Sequence, residues 1–281
     1  MEFTGITAGA SVEAYLLHLR EMERSQGTIE QYDRHIRVFL TAVGEQSITK
    51  DAVLDFKQRI RSSYAASTVN TMLTAVNGFL TWLGLPGCRV KLLKCQRKMF
   101  RDPDRELTRE EYQRLVNTAA GQGNTCLALL LETICATGIR VSEVKYITVE
   151  AVRTGKTEIS LKGKTRTILI PGKLARKLRK FARKKKITSG EIFLTRSGKS
   201  MDRKRIWAAM KQLCTRAGVD PHKVFPHNLR HLFAVTFYKA CRDIARLADV
   251  LGHSSVETTR IYLTTSPNEQ LRQMDRLGLV S

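Results

Sequence analysis

Six side chains that can bind phosphate, transfer a proton or act as a nucleophile occur from the middle of the sequence onwards. They are Arg140, Lys162, His227, Arg230, His253 and Tyr262. Guanidinium groups can hold the non-bridging oxygens of a phosphate through paired hydrogen bonds, and a histidine and a lysine can exchange protons with the attacking and leaving oxygens. A tyrosine hydroxyl can form a covalent intermediate. The set therefore suits phosphoryl transfer through a protein-linked phosphate.

The spacing of these residues brings two of them together before any fold is known. His227 and Arg230 are three residues apart in HNLRH, so on a helix they project from the same face. A proton acceptor and a phosphate-binding group can then share a site. His231 adjoins Arg230, and because successive helix residues are about 100° apart we expect it to point elsewhere and to have a structural role.

The order of these segments resembles the tyrosine recombinase, or phage integrase, family, whose pattern is Arg, Lys, His-x-x-Arg, then His or Trp, with Tyr nine residues later. TGIRVSE, HNLRH and LGHSSVETTRIY carry the resemblance. It implies that Arg140 and Arg230 clamp the scissile phosphate and that Tyr262 attacks it to form a 3′-phosphotyrosine. A free phenol has a pKa of about 10, so the attack needs a base, and the family role falls on His227. His253 is expected to hydrogen-bond the phosphate.

The resemblance assigns protonation of the departing 5′ oxygen to a lysine in a β-hairpin turn, where loop length varies between members. This turn offers Lys162 and Lys164, and we prefer Lys162, which precedes Gly163. Glu143 follows Arg140 by three residues. It either orients the active-site cations through hydrogen bonds or is an ordinary exposed glutamate.

Helical periodicity organises the first part of the chain. Apolar residues recur every three or four positions in four segments, and Ser, Thr, Gly and Pro mark the segment ends. The segments are SVEAYLLHLREMER, TIEQYDRHIRVFLTAV, ITKDAVLDFKQRIRSS and AASTVNTMLTAVNGFLTWLG, with Ser11 and Thr28 as caps of the first two. We expect a four-helix domain over residues 1–98, and it is similar to the family's SAM-like core-binding domain.

A basic segment with the breaker sequence DPD predicts a linker over residues 99–106. After it, Thr108 and Glu111 form a capping box, TCLALLLETICATG predicts a core helix ending at Gly138, and TEISLKG and TRTILIP predict a hairpin. The expected fold is therefore mainly α with a small β-sheet. Its α+β catalytic domain spans residues 107–281 and ends in a tail helix.

The charge predicts a polyanionic partner. Lys and Arg number 48 against 26 Asp and Glu, which gives a formal net charge of +22 and a sequence pI near 10.1. Such a surface attracts nucleic acid, and with the resemblance it predicts double-stranded DNA. Nine positive charges lie in KLARKLRKFARKKK, which is either a solvated helix face or a direct DNA contact.

The sequence contains no apolar run long enough to cross a membrane and no basic leader before an apolar run, so we expect a cytoplasmic protein without a membrane partner. The six cysteines lack the spacing of zinc ligands and are interpreted as reduced thiols. A Gly-rich phosphate loop and an acidic metal cluster are also missing from the sequence. We therefore predict no cofactor and no metal.

The tail after Tyr262 predicts a short helix behind Pro267, with Leu271, Met274 and Leu277 at helical spacing. In the family such a tail docks onto a neighbouring protomer, which implies a homo-oligomer, a tetramer on two paired DNA sites. The alternative is that the tail folds back onto its own domain. Because the chain starts almost directly with the first bundle helix, we expect a simple two-domain enzyme of the Xer-like or transposon-encoded type.

Two other functions compete with a site-specific recombinase. A type IB topoisomerase uses a similar site but reseals the same strand, and the tail and the short helical N-terminal domain favour recombination over it. A DNA-binding protein that has kept the fold without the chemistry is the second alternative. The complete set of six residues argues against that interpretation.

Overall fold

A computed structural model describes residues 4–95, 103–161, 164–263 and 267–278. The chain forms two compact units, Met1–Arg97 and Lys98–Ser281. The predicted linker, residues 99–106, lies partly outside the described residues, and Pro103–Arg105 forms a single 3-10 turn. Within the described ranges, no helix is both long and apolar enough to cross a membrane.

The first unit is helical, as the periodicity predicts. Its helices are α1 (Gly5–Ala10), α2 (Val12–Glu21), α3 (Gln26–Val43), α4 (Lys50–Ser63) and α5 (Ala66–Trp82). The short α1, capped by Thr4, was not predicted. The cap of α3 was predicted at Thr28 and is Ser25, whose hydroxyl accepts from the backbone N–H of Thr28. The helix therefore begins earlier, because the serine is already in the extended conformation that a cap requires.

Aromatic packing holds this unit together. Phe39 and Phe56 meet edge to face with ring centroids 5.1 Å apart, and both are fully buried. The Tyr15 hydroxyl approaches the backbone of α5 at Gly78, where a Cβ atom would lie only 2.7 Å from it. Burial raises the pKa of Tyr15 to about 12. These contacts bury the apolar stripes that the sequence pattern identified.

The second unit is helical apart from one hairpin. Its helices are α6 (Arg109–Gly121), α7 (Thr125–Thr137), α8 (Val149–Thr154), α9 (Gly172–Lys184), α10 (Arg203–Ala217), α11 (Pro226–Cys241), α12 (Ile244–Leu251), α13 (Val256–Arg260) and α14 (Pro267–Asp275), with 3-10 turns at Val141–Tyr146 and Ile261–Leu263. The strands are β1 (Lys156–Leu161) and β2 (Lys164–Leu169). The mainly α fold with a small sheet is thus confirmed.

Local signals set two features that position the site. Thr108 and Glu111 form the predicted capping box of α6. The apolar helix α7 ends at Gly138, as predicted, and this glycine has a left-handed φ of 64°. A Cβ there would lie 2.4 Å from the ring of Phe233, so the close approach of α11 also requires glycine.

The hairpin is antiparallel, with Leu161 opposite Lys164 and Ile159 opposite Arg166. Alternate residues of β2 share a face, so Arg166 lies on the same side as the buried Ile168. Leu169, on the other side, is largely exposed. The strand therefore carries one arginine towards the interior of the domain.

Candidate active site

Arg230 is the most deeply buried of the five predicted site residues that the structure describes. Its side chain, on α11, is only 2% exposed. Nη1 donates to the carbonyl of Gly138 at 2.6 Å, and Nη2 donates to the carbonyl of Leu251 at 2.8 Å. The ends of α7 and α12 thus fix the guanidinium, because each helix leaves its last carbonyls without partners inside the helix.

Arg140 lies just before the 3-10 turn and is held by Glu143. Its Nη1 donates to Oε1 of Glu143 at 3.0 Å, and its backbone N–H donates to Oε2 at 2.8 Å. Glu143 is 1% exposed. Of the two interpretations offered by the sequence, the orienting role fits this geometry and an exposed surface glutamate does not. The Arg140 side chain keeps 43% of its surface exposed, so it can reach a ligand.

Arg166 completes this cluster, and the sequence analysis missed it. Nη2 donates to Oε2 of Glu143 at 2.7 Å, while Nη1 donates to the carbonyl of Leu251, which also accepts from Arg230. The side chain passes directly over Gly252, where a Cβ would lie 2.3 Å from its Cδ. The available signal was the alternation in TRTILI, which places an arginine on a buried strand face, where an unpaired charge is not tolerated.

His253 faces Arg230 and Thr259. Its Nε2 lies 2.9 Å from Nη2 of Arg230, and its Nδ1 lies 2.9 Å from Oγ1 of Thr259. The pKa of His253 is lowered to about 4, mainly by burial and then by the charges of Arg230, Arg140 and Arg166 in that order. The imidazole is therefore neutral near pH 7.

Tyr262 lies in the 3-10 turn after α13, where three histidine rings surround it. The ring centroids of His227 and His253 are each 5.7 Å from that of Tyr262, and the ring of His231 is 5.4 Å away. The sequence analysis did not foresee this contact between His231 and Tyr262, and the structural role of His231 stays a prediction. His231 is rotated away from Arg230 around α11, but Tyr262 packs against the rings of both His227 and His231.

The pKa values reflect the crowding of positive charge. Burial lowers the pKa of His227, and the guanidinium groups of Arg230 and Arg140 lower it further. Burial also lowers the pKa of Arg230, followed by the charge of Arg140, while a hydrogen bond to Tyr262 is among the effects that raise it. Burial lowers the pKa of Arg166 to about 10, against the opposing charge of Glu143. A proton acceptor and a tyrosine thus share a strongly cationic environment.

The lysine of the set is not placed by the structure. Lys162 lies outside the described residues, and the alternative, Lys164, is the first residue of β2. The other five predicted residues converge on one site. Three guanidinium groups against one carboxylate leave about two positive charges beside the tyrosine, which suits binding and attack at a phosphodiester.

Comparison with known proteins identifies the family of the chain. Residues 105–269 match the phage integrase family, and residues 12–85 match the N-terminal SAM-like domain of phage integrases. The chain belongs to the phage integrase family. Its matching segment includes all six predicted site residues, and the predicted resemblance is confirmed.

Curated relatives match nearly the whole length of the chain. The tyrosine recombinase XerC of Roseiflexus castenholzii is 31% identical, covering 89% of this chain and 87% of its own. The tyrosine recombinase XerA of Pyrococcus furiosus is 26% identical, covering 96% of this chain and 94% of its own. The chain is accordingly a tyrosine site-specific recombinase, as predicted.

Solved structures share its fold. The XerH site-specific recombinase bound to its difH substrate has a TM-score of 0.68 at 18% identity, covering 94% of this chain and 83% of that one. A lambda integrase tetramer bound to a Holliday junction has a TM-score of 0.73 at 16% identity, covering 90% and 76%. At these identities the likeness supports the fold alone.

Proposed function

We propose that the recombinase cleaves DNA strands with Tyr262 and exchanges them between two sites through a Holliday junction. The observation that carries the proposal is the position of Tyr262, which is buried, has three histidine rings within 6 Å and lies close enough to Arg230 to raise the pKa of that guanidinium. A nucleophile thus lies against a phosphate-binding guanidinium. Relatives named tyrosine recombinases and structures of recombinases bound to DNA support this function.

The chemical step is an in-line displacement at phosphorus. The phenolic oxygen of Tyr262 forms a bond to the scissile phosphorus, the bond to the 5′ oxygen breaks, and the DNA is left with a 3′-phosphotyrosine and a free 5′ hydroxyl. The phosphoester energy is kept, so the reverse attack by a 5′ hydroxyl rejoins a strand. Arg140 and Arg230 would bind the non-bridging oxygens, where negative charge develops in the transition state.

His227 is the proposed acceptor of the phenolic proton. Its lowered pKa keeps the ring neutral near pH 7, so it has a free nitrogen lone pair for that role. The His227 side chain itself is exposed, where DNA can approach. His231 is equally close to Tyr262, so it is the alternative base to test.

The remaining residues have two roles. Lys162 in the hairpin turn would protonate the 5′ oxygen, with Lys164 as the alternative. Glu143 and Arg166 would act through other groups. The Glu143 carboxylate orients Arg140. Arg166 donates both to that carboxylate and to the Leu251 carbonyl, which also accepts from Arg230. Both are positioning residues, because both are buried away from a bound phosphate.

Double-stranded DNA and other copies of the chain are the proposed partners. The net charge of +22 supports DNA binding, and lambda integrase is found as a tetramer on a Holliday junction. The tail helix α14 supports assembly, since Leu271, Met274 and Leu277 are each more than half exposed. We propose that this stripe docks on a neighbouring protomer in a tetramer. A cytoplasmic location remains part of the proposal.

Covalent trapping tests the function. The wild type and Tyr262→Phe are incubated with nicked duplex fragments from the neighbourhood of the encoding gene, without metal or ATP. We expect an adduct that survives denaturant with the wild type only, and equal salt-sensitive binding of DNA by both. The matched control is Tyr238→Phe, which removes a hydroxyl from α11 in the same apolar cluster and should retain the adduct.

The same trapped site then separates recombination from the alternatives. Exchange of strands between two labelled fragments is expected of a recombinase, whereas relaxation of supercoils without exchange would indicate a topoisomerase. An adduct formed by Tyr262→Phe would overturn the assignment of the nucleophile. Binding without any adduct on a fragment that other members of the family cleave would favour the non-catalytic alternative.

A further inference from the structure

Helix α9 presents a continuous cationic face that includes none of the six predicted site residues. Its apolar residues Leu174, Leu178 and Phe181 are buried, and from Lys173 to Lys184 every exposed residue is lysine or arginine. The exposed residues are Lys173, Arg176, Lys177, Arg179, Lys180, Arg183 and Lys184. Lys177 pairs with Glu132 on α7 at 2.5 Å. The face therefore has far more charge than packing requires.

A groove runs along one edge of this face, between α8 and α9. It has a volume of about 300 Å³. Its apolar floor consists of Val149, Val152, Ala182, Ile187 and Ile192, and its rim consists of Arg153, Arg179 and Arg183. We call this feature the arginine groove. Among the described residues, the ion pairs include none of the three rim arginines.

The arginine groove is remote from the reaction site. Lys177, near the start of α9, pairs with Glu132 near the end of α7. Lys185, just past the end of α9, lies near Cys126 at the start of α7. Burial raises the pKa of that thiol, and the charge of Lys185 lowers it. The two helices are therefore antiparallel. Along α7, Cys126 and Gly138 are separated by about 18 Å, at 1.5 Å per residue. The C-terminal end of α9 thus lies about one helix length from the Gly138 carbonyl, which accepts a hydrogen bond from Arg230.

The choice of cation indicates the ligand. Of the basic residues on α9, the two on the groove are arginines, while the lysines lie outside it. Arginine binds carboxylates through two parallel hydrogen bonds, which a lysine ammonium cannot do. Arginine beside an apolar cavity is also typical of the centre of protein interfaces. The combination selects a ligand with both acidic and apolar groups.

We infer that the arginine groove binds an acidic segment of a partner protein, with one aliphatic or aromatic side chain inserted as an anchor. Duplex DNA complements the charge, but its apolar thymine methyl groups lie within the major groove, where they cannot be inserted as an anchor into a cavity. The chain's own tail is a poor match, because the acids Glu269 and Asp275 are balanced by Arg272 and Arg276. The site does not depend on the proposed cleavage chemistry.

Fluorescence anisotropy with defined peptides tests the inference on the full-length protein. The probes are a labelled peptide of Asp and Glu with one central Trp, the same peptide with Gly in place of Trp, and a Lys version with the Trp kept. We expect the first to bind about tenfold or more tighter than the second, because the anchor buries apolar surface. The Lys version should not bind.

Two triple variants with equal loss of charge provide the control. Replacement of Arg153, Arg179 and Arg183 by Gln should weaken binding of the Trp peptide by about tenfold or more, since each arginine loses charge-assisted hydrogen bonds. Replacement of Lys173, Lys180 and Lys184 by Gln removes the same charge outside the groove and should change the affinity by less than about threefold. Covalent trapping of site DNA should be unchanged in both variants, which shows that fold and reaction site persist.

Three results would overturn the inference. Equal binding of the Trp and Gly peptides would exclude an apolar anchor. If the two triple variants weaken peptide binding equally, the peptide is held by the general positive charge of the surface and not by the arginine groove. Displacement of the peptide by a non-site DNA duplex, together with loss of that DNA binding in the arginine variant, would make α9 a nucleic-acid surface instead.

Discussion

Arg230 and His253 are joined by a hydrogen bond of 2.9 Å between Nη2 and Nε2. A guanidinium has only donors, so Nε2 must accept, and the ring proton must lie on Nδ1, which donates to Thr259 at 2.9 Å. The bond therefore exists only with a neutral imidazole, in agreement with the lowered pKa. In this geometry Nε2 of His253 accepts from the guanidinium of Arg230. The predicted hydrogen bond from His253 to the phosphate stays a prediction.

This arrangement predicts a pH dependence of stability. The pKa of His253 is about 4 in the folded protein against an ordinary 6.5, so the unfolded chain takes up the proton first as the pH falls. The free energy of unfolding should decrease between pH 6.5 and about 4 and depend less on this group below that. His253→Gln, which keeps an acceptor without titrating, should reduce the slope in chemical denaturation followed by circular dichroism.

His227 adds to the same slope, because its pKa is also lowered, so the difference between wild type and His253→Gln isolates one residue. The control His222→Gln makes the same replacement at an exposed histidine of the second unit, outside the cluster around Arg230. Parallel curves for the wild type and His253→Gln would contradict the assigned hydrogen bond.

Arg166→Met should slow cleavage without weakening DNA binding. The variant keeps the bulk of the side chain but removes the donors to Glu143 and Leu251, so both phosphate-binding arginines lose support. A displacement of about 1 Å in such groups costs on the order of a hundredfold in rate. The measurement is single-turnover cleavage at saturating protein, with DNA affinity determined separately. Unchanged cleavage would reduce Arg166 to a packing residue.

Gly252→Ala should reproduce that loss from the other side of the contact. The new Cβ would lie 2.3 Å from Cδ of Arg166 and would force the arginine out of place. Gly198→Ala is the matched control, because Gly198 also has a left-handed φ, 75°, but has nothing within 4 Å of its added Cβ. Both variants have the backbone strain, and only the first should lose cleavage. Equal losses would point to strain alone.

Separate substitutions distinguish the two lysines of the hairpin. Lys162→Ala should depress cleavage strongly, and a substrate with sulfur at the bridging 5′ position should restore it, because a thiolate leaves without a proton. Lys164→Ala should cleave the ordinary substrate at a rate near that of the wild type. Rescue by sulfur in Lys164→Ala alone would transfer the role to Lys164.

The tail stripe can be tested by assembly. Replacing Leu271, Met274 and Leu277 by Ser should leave binding to a single DNA site intact. It should abolish strand exchange and the faster-sedimenting paired-site complex in analytical ultracentrifugation. These side chains are each more than half exposed, so their loss should not affect folding of the unit. The control replaces the exposed Arg272 and Arg276 by Ser. Normal paired complexes with the apolar triple variant would favour a tail that serves its own domain.

Features that depend on neighbours in the sequence were predictable. The capping box of Thr108 and Glu111, the end of α7 at Gly138 and the hairpin all rest on contacts within a few residues, whose chemistry is written in short segments. The six candidate site residues were proposed from the order of short motifs, and the five that the structure describes lie close together. Where two residues competed locally, as Ser25 and Thr28 did for the cap of α3, the sequence pattern chose the wrong one.

Only the tertiary structure decided how the positive charges are held. Glu143 and Arg166 are 23 residues apart, and Arg166 and Leu251 are 85 apart, so no local pattern records their contact. The turn that carries Tyr262 places His231 as near to it as His227. A buried charge is stable only with a partner close by. For Arg166 the partners are decided by how β2 packs against α11 and α12, and not by spacing along the chain.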